Sequence, residues 1–76
     1  MTAERFSNME LAALRSELVE NGFDTRQAGE VLQVFLIGRG YGVSPEAAID
    51  AAARVEGAGC SLAVIEKELQ TLALVQ

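Results

Sequence analysis

Few side chains in this sequence could perform chemistry, and Cys60 is the first of them. The 76-residue chain has one cysteine and no histidine. A Ser–His or Cys–His nucleophile pair is therefore impossible, and so are the commonest zinc and iron ligand sets. Cys60 precedes a predicted helix, a position that favours the reactive thiolate. A thiol-dependent activity at Cys60 is thus our third hypothesis, although we favour a small buried residue at a tight turn.

Pairs of carboxylates are the second kind of candidate. Glu66 and Glu68 are two residues apart, so they do not share a helix face. Glu17 and Glu20 are three apart and can share one, but we interpret them as solvated surface residues. No segment matches the calcium-binding loop of EF-hands. We therefore predict no catalytic residue, no metal ligand and no cofactor, and we expect that the protein is not an enzyme.

Two glycine-rich segments must form turns between the predicted helices. Residues 57–61 (GAGCS) lack the lysine of a P-loop and follow no predicted strand, which argues against a nucleotide site. Residues 38–42 (GRGYG) put Arg39 and Tyr41 on a loop, and these residue types are enriched in interface hot spots. Arg39 and Tyr41 are therefore candidate protein-binding residues. The alternative is that Tyr41 packs over the core while Arg39 is solvated.

The segments that these turns connect are predicted to be helices. Ser7 with Glu10, and Asp24 with Gln27, form capping boxes, while Ser44 precedes a proline at the first position of a third helix. Phe6 is expected to pack on the first helix as a hydrophobic staple. We predict an all-α fold, a compact bundle of four short helices at about 7–21, 25–37, 45–56 and 61–74. Residues 1–76 form one domain, with 1–6 as a flexible N-terminus.

The second helix is expected to lie at the centre of the bundle. Its apolar residues recur at the spacing of one helix face, and the alanine-rich third helix can approach it to about 8 Å. Short connections favour packing between helices that are neighbours in sequence. The predicted core comprises Leu11, Leu14, Leu18, Phe23, Val31, Leu32, Phe35, Leu36, Ile49, Val55, Ile65 and Leu69.

The fourth helix carries Leu62, Ile65, Leu69 and Leu72 at spacings of three, four and three. This is the spacing of a coiled-coil seam, but two heptads are too few to establish one. The four residues are predicted either to face the core of their own domain or to form a surface for self-association. For the second case they are candidate protein-binding residues, and we expect a homodimer.

Charge and hydropathy limit the classes of partner. Eleven acidic residues against six basic ones give a net charge of −5, whereas binding to a phosphate backbone needs clustered lysine and arginine. We therefore predict no direct binding to nucleic acid. The apolar stretch 31–37 is far too short to span a bilayer, and no signal peptide is apparent. We expect no membrane association and a cytoplasmic location.

These observations lead to two functional hypotheses. The first is a non-enzymatic protein–protein interaction module, a small adaptor, inhibitor or regulator of an unidentified protein, which self-associates through its C-terminal helix. Its basis is surplus apolar surface on a small chain, contributed by Val34, Ile37, Leu72, Leu74 and Val75. The second is a small acidic regulator that binds the basic surface of a nucleic-acid-binding protein. Binding should weaken steeply with salt in the second case and hardly in the first.

A short part of the chain resembles a known family. Residues 18–23 (LVENGF), followed by Ala28 and Leu32, look like the first loop and second helix of ubiquitin-associated domains. Those domains are three-helix modules that recognise a hydrophobic patch through a Met-Gly-Phe-type loop. Asn21 replaces the usual methionine here, and the second helix and loop are longer. We carry no function across from this resemblance.

Overall fold

Four helices form the part of the chain described by the structure, a computed structural model. It describes residues 6–22 and 24–75, apart from the side chains of residues 74 and 75. The helices are α1 (Asn8–Glu20), α2 (Thr25–Ile37), α3 (Pro45–Gly57) and α4 (Leu62–Val75), and the described residues contain no strand. The predicted all-α bundle of four helices is confirmed, with each boundary within one residue of its predicted position.

The first three helices begin at the predicted caps. The Ser7 hydroxyl accepts a hydrogen bond from the Glu10 N–H at 3.2 Å, and the Glu10 carboxylate accepts one from the Ser7 N–H at 2.9 Å. Asp24 and Gln27 form the same reciprocal pair at the start of α2. Ser44 caps α3, which has its proline in the first turn. These bonds satisfy N–H groups that have no partner within the helix.

Helix α2 ends in a Schellman turn. Gly38 is its C-cap, and Gly40 has the left-handed backbone, with φ +90°. The Tyr41 N–H donates to the Leu36 carbonyl at 3.0 Å, which is the 6→1 hydrogen bond of this motif. The turn thereby directs Tyr41 back onto the bundle, where it is half-buried against the core.

All four helices contribute to one hydrophobic core. The predicted core residues that are buried are Leu11, Leu14, Leu18, Leu32, Leu36, Val55, Ile65 and Leu69. Val31, Phe35 and Ile49 are half-buried, and Phe23 lies outside the described residues. The core also takes in small side chains that the prediction omitted, among them Ala28, Ala51 and Ala52.

Phe6, which the sequence analysis included in the N-terminus at 1–6, belongs to the core. Its side chain is fully buried, and its ring centroid lies 5.7 Å from that of Phe35 and 6.5 Å from that of Tyr41. The physical reason is the expected hydrophobic staple, in which a residue before the cap packs near the fourth helical residue, here the buried Leu11. Residues 1–5 lie outside the described residues.

Helices α2 and α3 pack on each other, as the sequence predicts, and they form the most extensive helix pair of the described residues. They approach each other closely at Gly29 of α2, where a Cβ atom would lie 2.8 Å from the Cα atom of Ile49. Around this point α3 presents buried alanines, Ala48, Ala51 and Ala52. The close approach therefore depends on small residues in both helices, not in α3 alone.

An ion pair fixes α3 against α4. The Arg54 Nε atom donates to a Glu68 carboxylate oxygen at 2.9 Å; the Glu68 side chain is 10% exposed and that of Arg54 is 57% exposed. This hydrogen bond from the guanidinium to Glu68 raises the pKa of Arg54. Arg54 thus leaves most of its surface in water while it neutralises a nearly buried carboxylate.

Helix α1 does not follow the predicted packing order. It packs on α4, with few direct contacts to α2, although only a short turn joins α1 to α2. The prediction of sequential packing holds for α2–α3 and α3–α4 and is wrong for α1–α2. Residues of both α1 and α2 line the same open hollows, so the two helices lie side by side with an open groove between them.

Candidate protein-interaction groove

The gap between α1 and α2 is an open groove made of two adjacent hollows. The hollow nearer the start of α2 has a volume of about 360 Å³ and is lined by Glu17, Gln27, Glu30, Val31 and Val34. The second has a volume of about 310 Å³ and is lined by Glu10, Ala13, Leu14, Glu17, Phe35 and Arg39. Glu17 lines both. We call the two hollows together the α1–α2 groove.

Val34 lines the groove and is exposed, and the exposed Ile37 lies three residues further along α2. Val34 is 68% exposed and Ile37 is 53% exposed, although both belong to the central helix. Val31, Val34 and Ile37 follow at intervals of three residues, which puts them next to each other on the helix surface. The surplus apolar surface predicted for Val34 and Ile37 is therefore present, and it adjoins a concave site.

Carboxylates flank the apolar surface on both walls. Glu17 on α1 and Glu30 on α2 are exposed, and within 6–22 and 24–75 neither takes part in an ion pair. They lie on opposite walls of the same hollow, which Val31 and Val34 also line. The middle of the groove is therefore apolar and bordered by negative charge.

Arg39 closes one end of the groove. Its guanidinium carbon lies 4.5 Å from the centroid of the Phe35 ring, and it forms an ion pair with Glu10. The hydrogen bond from the Ser7 backbone N–H lowers the pKa of Glu10, and Arg39 lowers it further. The positive charge at this end is thus matched by Glu10.

The two candidate residues of the turn after α2 lie in different surroundings. Tyr41 packs half-buried against the core, with its ring near that of Phe6, whereas Arg39 lines the groove. For Tyr41 the structure matches the predicted alternative of packing over the core. Arg39 is held by a ring and a carboxylate instead of being freely solvated.

The candidate residues of α4 face inward. Ile65 and Leu69 are fully buried, Leu72 is 7% exposed, and only Leu62, at the first turn of the helix, is substantially exposed, at 41%. Ile65, Leu69 and Leu72 thus face the core of their own domain, which is the first of the two orientations predicted for them. A helix facing its own core has the same three–four spacing as a coiled-coil seam. Self-association through α4 stays a prediction.

Cys60 belongs to the turn that ends α3. Its backbone is left-handed, with φ +57°, next to Gly59 at φ +71°. Its N–H donates to the Val55 carbonyl at 2.9 Å, and its carbonyl accepts from the Arg15 Nε atom at 2.8 Å. The residue is half-buried. Both hydrogen bonds use backbone atoms of Cys60. They fix the residue in a tight turn and do not involve its thiol.

The sequence interpretation missed the groove residues Glu17 and Glu30, which looked like ordinary surface charges. A partial signal exists, since Glu30, Val34 and Ile37 lie three or four residues apart and mark one outward face of α2. That face mixes acid with aliphatic side chains. No sequence signal places α1 opposite to it, because this depends on both helices packing on α4.

Comparison with known proteins gives no family model that matches the chain, and no curated protein or solved structure that matches it. The resemblance of residues 18–32 to ubiquitin-associated domains thus stays a local one. In 6–22 and 24–75 no group of three or more cysteine, aspartate or glutamate residues is arranged to hold a metal ion. No helix in this part of the chain has the length and hydropathy to cross a membrane.

Proposed function

We propose that this chain is a non-enzymatic protein-interaction module and that the α1–α2 groove, together with Ile37, is its binding surface. The observation that carries the proposal is the exposure of Val34 and Ile37 beside a concave apolar site. Isolated exposed aliphatic residues are common and need no explanation, but adjacent ones at a groove are typical of interaction sites. An apolar centre bordered by charged residues is the usual arrangement of a protein interface.

A protein fits this surface better than a small molecule does. Small-molecule sites enclose most of the surface of their ligand, whereas Val34 leaves 68% of its own surface in water at the edge of the groove. The two hollows are shallow features of one long surface shared by two helices. A partner that covers both hollows and Ile37 would remove more apolar area from water than a ligand in either hollow.

A foreign partner is favoured over a second copy of the chain. Glu17 and Glu30 border the groove and the chain has a net charge of −5, so two copies meeting at this surface would bring like charges together. Such contacts cost affinity. The homodimer expected from the sequence is therefore retained as an alternative that solution mass measurements test.

The same two carboxylates support the second function, that of a small acidic regulator of a protein with a basic surface. The two functions differ in which groups supply the affinity. If the aliphatic residues do, binding persists at high salt; if Glu17 and Glu30 do, binding falls steeply as the ionic strength rises. A salt titration of the binding constant therefore distinguishes them.

The test compares a double variant of the proposed binding surface with a single control variant in a binding assay. Proteins captured by the wild-type chain from its own cells are identified, purified, and titrated against wild type, Val34→Ser/Ile37→Ser and Val19→Ser. Val19, on α1, is as exposed as Ile37, but unlike Ile37 it is not three or four residues along its helix from a side chain that lines the groove. The proposal expects a purified partner whose affinity falls at least tenfold in the double variant and is unchanged in Val19→Ser. Equal affinity for all three proteins would refute it.

A further inference from the structure

We infer that the occupant of the α1–α2 groove is a short amphipathic helix with basic residues on both sides of its apolar stripe. This inference rests on the proposed function and names the chemistry of the partner. Three features of the groove carry it: its length, the absence of sites suited to extended peptides, and the charge on its walls.

The length of the groove suits about two helical turns. The lining residues of α2 run from Gln27 to Phe35 and those of α1 from Glu10 to Glu17. At 1.5 Å of rise per residue these walls are about 12 Å and about 10 Å long. A partner helix of two to three turns would place apolar residues at i, i+3, i+4 and i+7 on the accessible side chains Ala13, Val31 and Val34.

Other modes of peptide recognition lack what they need here. Addition of a strand requires the edge of a sheet, and the described part of the chain has no strand. Recognition of a polyproline helix uses grooves lined by aromatic residues, whereas Phe35 is the one aromatic residue lining the two hollows. Of the three modes that bind a peptide through its strand, polyproline or helical conformation, a helix in a groove is the one that this surface fits.

The charges on the walls determine the polar flanks of the partner. Glu17 and Glu30 lie on opposite sides of the apolar floor, so a helix seated there needs a lysine or arginine on each side of its apolar stripe. Each of the four helices of this chain carries a single basic residue. A second copy would therefore not supply the required helix from these elements.

The test uses synthetic helical peptides of defined composition. One peptide carries leucines at i, i+3, i+4 and i+7 flanked by lysines, the second has glutamates in place of the lysines, and the third has the residues of the first in an order without helical amphipathicity. Each is titrated by fluorescence anisotropy at low and high salt against the full chain. The matched variants are Glu17→Gln/Glu30→Gln and Glu46→Gln/Asp50→Asn, which remove the same charge from the groove and from α3.

We expect only the lysine-flanked peptide to bind the wild-type chain. Its affinity should fall about tenfold in Glu17→Gln/Glu30→Gln, which fits the loss of two exposed ion pairs. Its affinity for the α3 variant should be unchanged. Equal binding of the three peptides, or equal weakening in both variants, would overturn the inference. So would the absence of peptide binding.

The proposed function is judged separately, by the affinity of Val34→Ser/Ile37→Ser for the cellular partner. A partner lost in that variant but lacking a basic helix would refute the inference and leave the function standing.

Discussion

Gly29 is the single residue on which the contact between α2 and α3 depends most directly. A Cβ atom at this position would lie 2.8 Å from both the Cα and the Cγ1 atoms of Ile49, and the backbone atom can move only with its helix. We expect Gly29→Ala to lower the free energy of unfolding by about 1–3 kcal/mol, the usual cost of overpacking. This outweighs the gain of up to about 1 kcal/mol from replacing glycine by alanine within a helix. Urea unfolding followed by circular dichroism measures the change.

Gly57→Ala is the control for the intrinsic preference of alanine. Gly57 is the last residue of α3, and a Cβ atom there would meet nothing within 4 Å. We expect the free energy of unfolding of Gly57→Ala to equal that of the wild type or to exceed it by up to about 1 kcal/mol. If both alanine variants shift stability in the same direction and by the same amount, the close approach at Gly29 does not determine the packing of α2 on α3.

Single residues differ in how far their roles can be predicted from sequence. Ser7 and Asp24 are predictable as caps because their partners lie three residues away and the signal is local. Gly29 is not, since the atom that excludes a side chain there belongs to Ile49, twenty residues further along the chain. Phe6 was predicted as a staple, but its full burial depends on Phe35 and Tyr41, which reach it only through the tertiary fold.

At the scale of elements, the ion pair between Glu10 and Arg39 joins the first turn of α1 to the turn that follows α2. The Ser7 N–H, and then Arg39, hold the pKa of Glu10 below its ordinary value of 4.5. A carboxyl group whose pKa is lowered by folding stabilises the folded state above its ordinary pKa, and this contribution is lost as the pH falls through the lowered value. We expect stability to decline below about pH 4.5 and Glu10→Gln to make that decline shallower.

Urea unfolding of wild type and variant between pH 7 and pH 3 measures this effect. Arg39→Gln serves as the comparison, because it removes the guanidinium and keeps the Ser7 N–H, which is the larger cause of the lowered pKa. Its decline with pH should lie between those of wild type and Glu10→Gln. Identical pH profiles for wild type and Glu10→Gln would show that the pair contributes nothing to the junction of α1 with the turn after α2.

The helices themselves were largely predictable, whereas their partners were not. Caps, glycines and the one proline mark the boundaries within one residue, because each of these signals acts on the backbone beside it. The inward orientation of α4 was one of two interpretations of the same spacing. Periodicity identifies an apolar face, but it does not state whether that face meets another part of the same chain or another molecule.

At the scale of the whole molecule, the groove exists because α1 packs on α4 and not directly on α2. Both α1 and α2 pack on α4, and α1 makes few contacts with α2 despite the short turn between them. The exposure of Val34 is a consequence, since a direct α1–α2 contact would fill the hollows that it lines. The candidate site could therefore be predicted only as surplus apolar residues on α2, and its concave shape required the arrangement of three helices.

The last prediction concerns whether α4 supports the fold of one chain or joins two. Leu69 is fully buried among residues of the core. Truncation of a buried leucine costs about 2–5 kcal/mol and a buried carboxylate without a partner costs more, out of a total stability of about 5–15 kcal/mol for a domain. We expect Leu69→Glu to unfold the chain by circular dichroism, and Val34→Glu, at an exposed site, to remain folded with the light-scattering mass of the wild type.

A different pair of results would reverse the assignment of α4. If the wild type is a dimer and Leu69→Glu is a folded monomer, Leu69 must lie at an interface, since a side chain inside the core cannot accept a charge and leave the helices intact. Unfolding of Leu69→Glu from a wild-type monomer would instead leave α4 as the element on which α1 and α2 both rest. In that case any substitution that loosens α4 should also widen the α1–α2 groove, and binding at the groove should weaken together with the stability of the bundle.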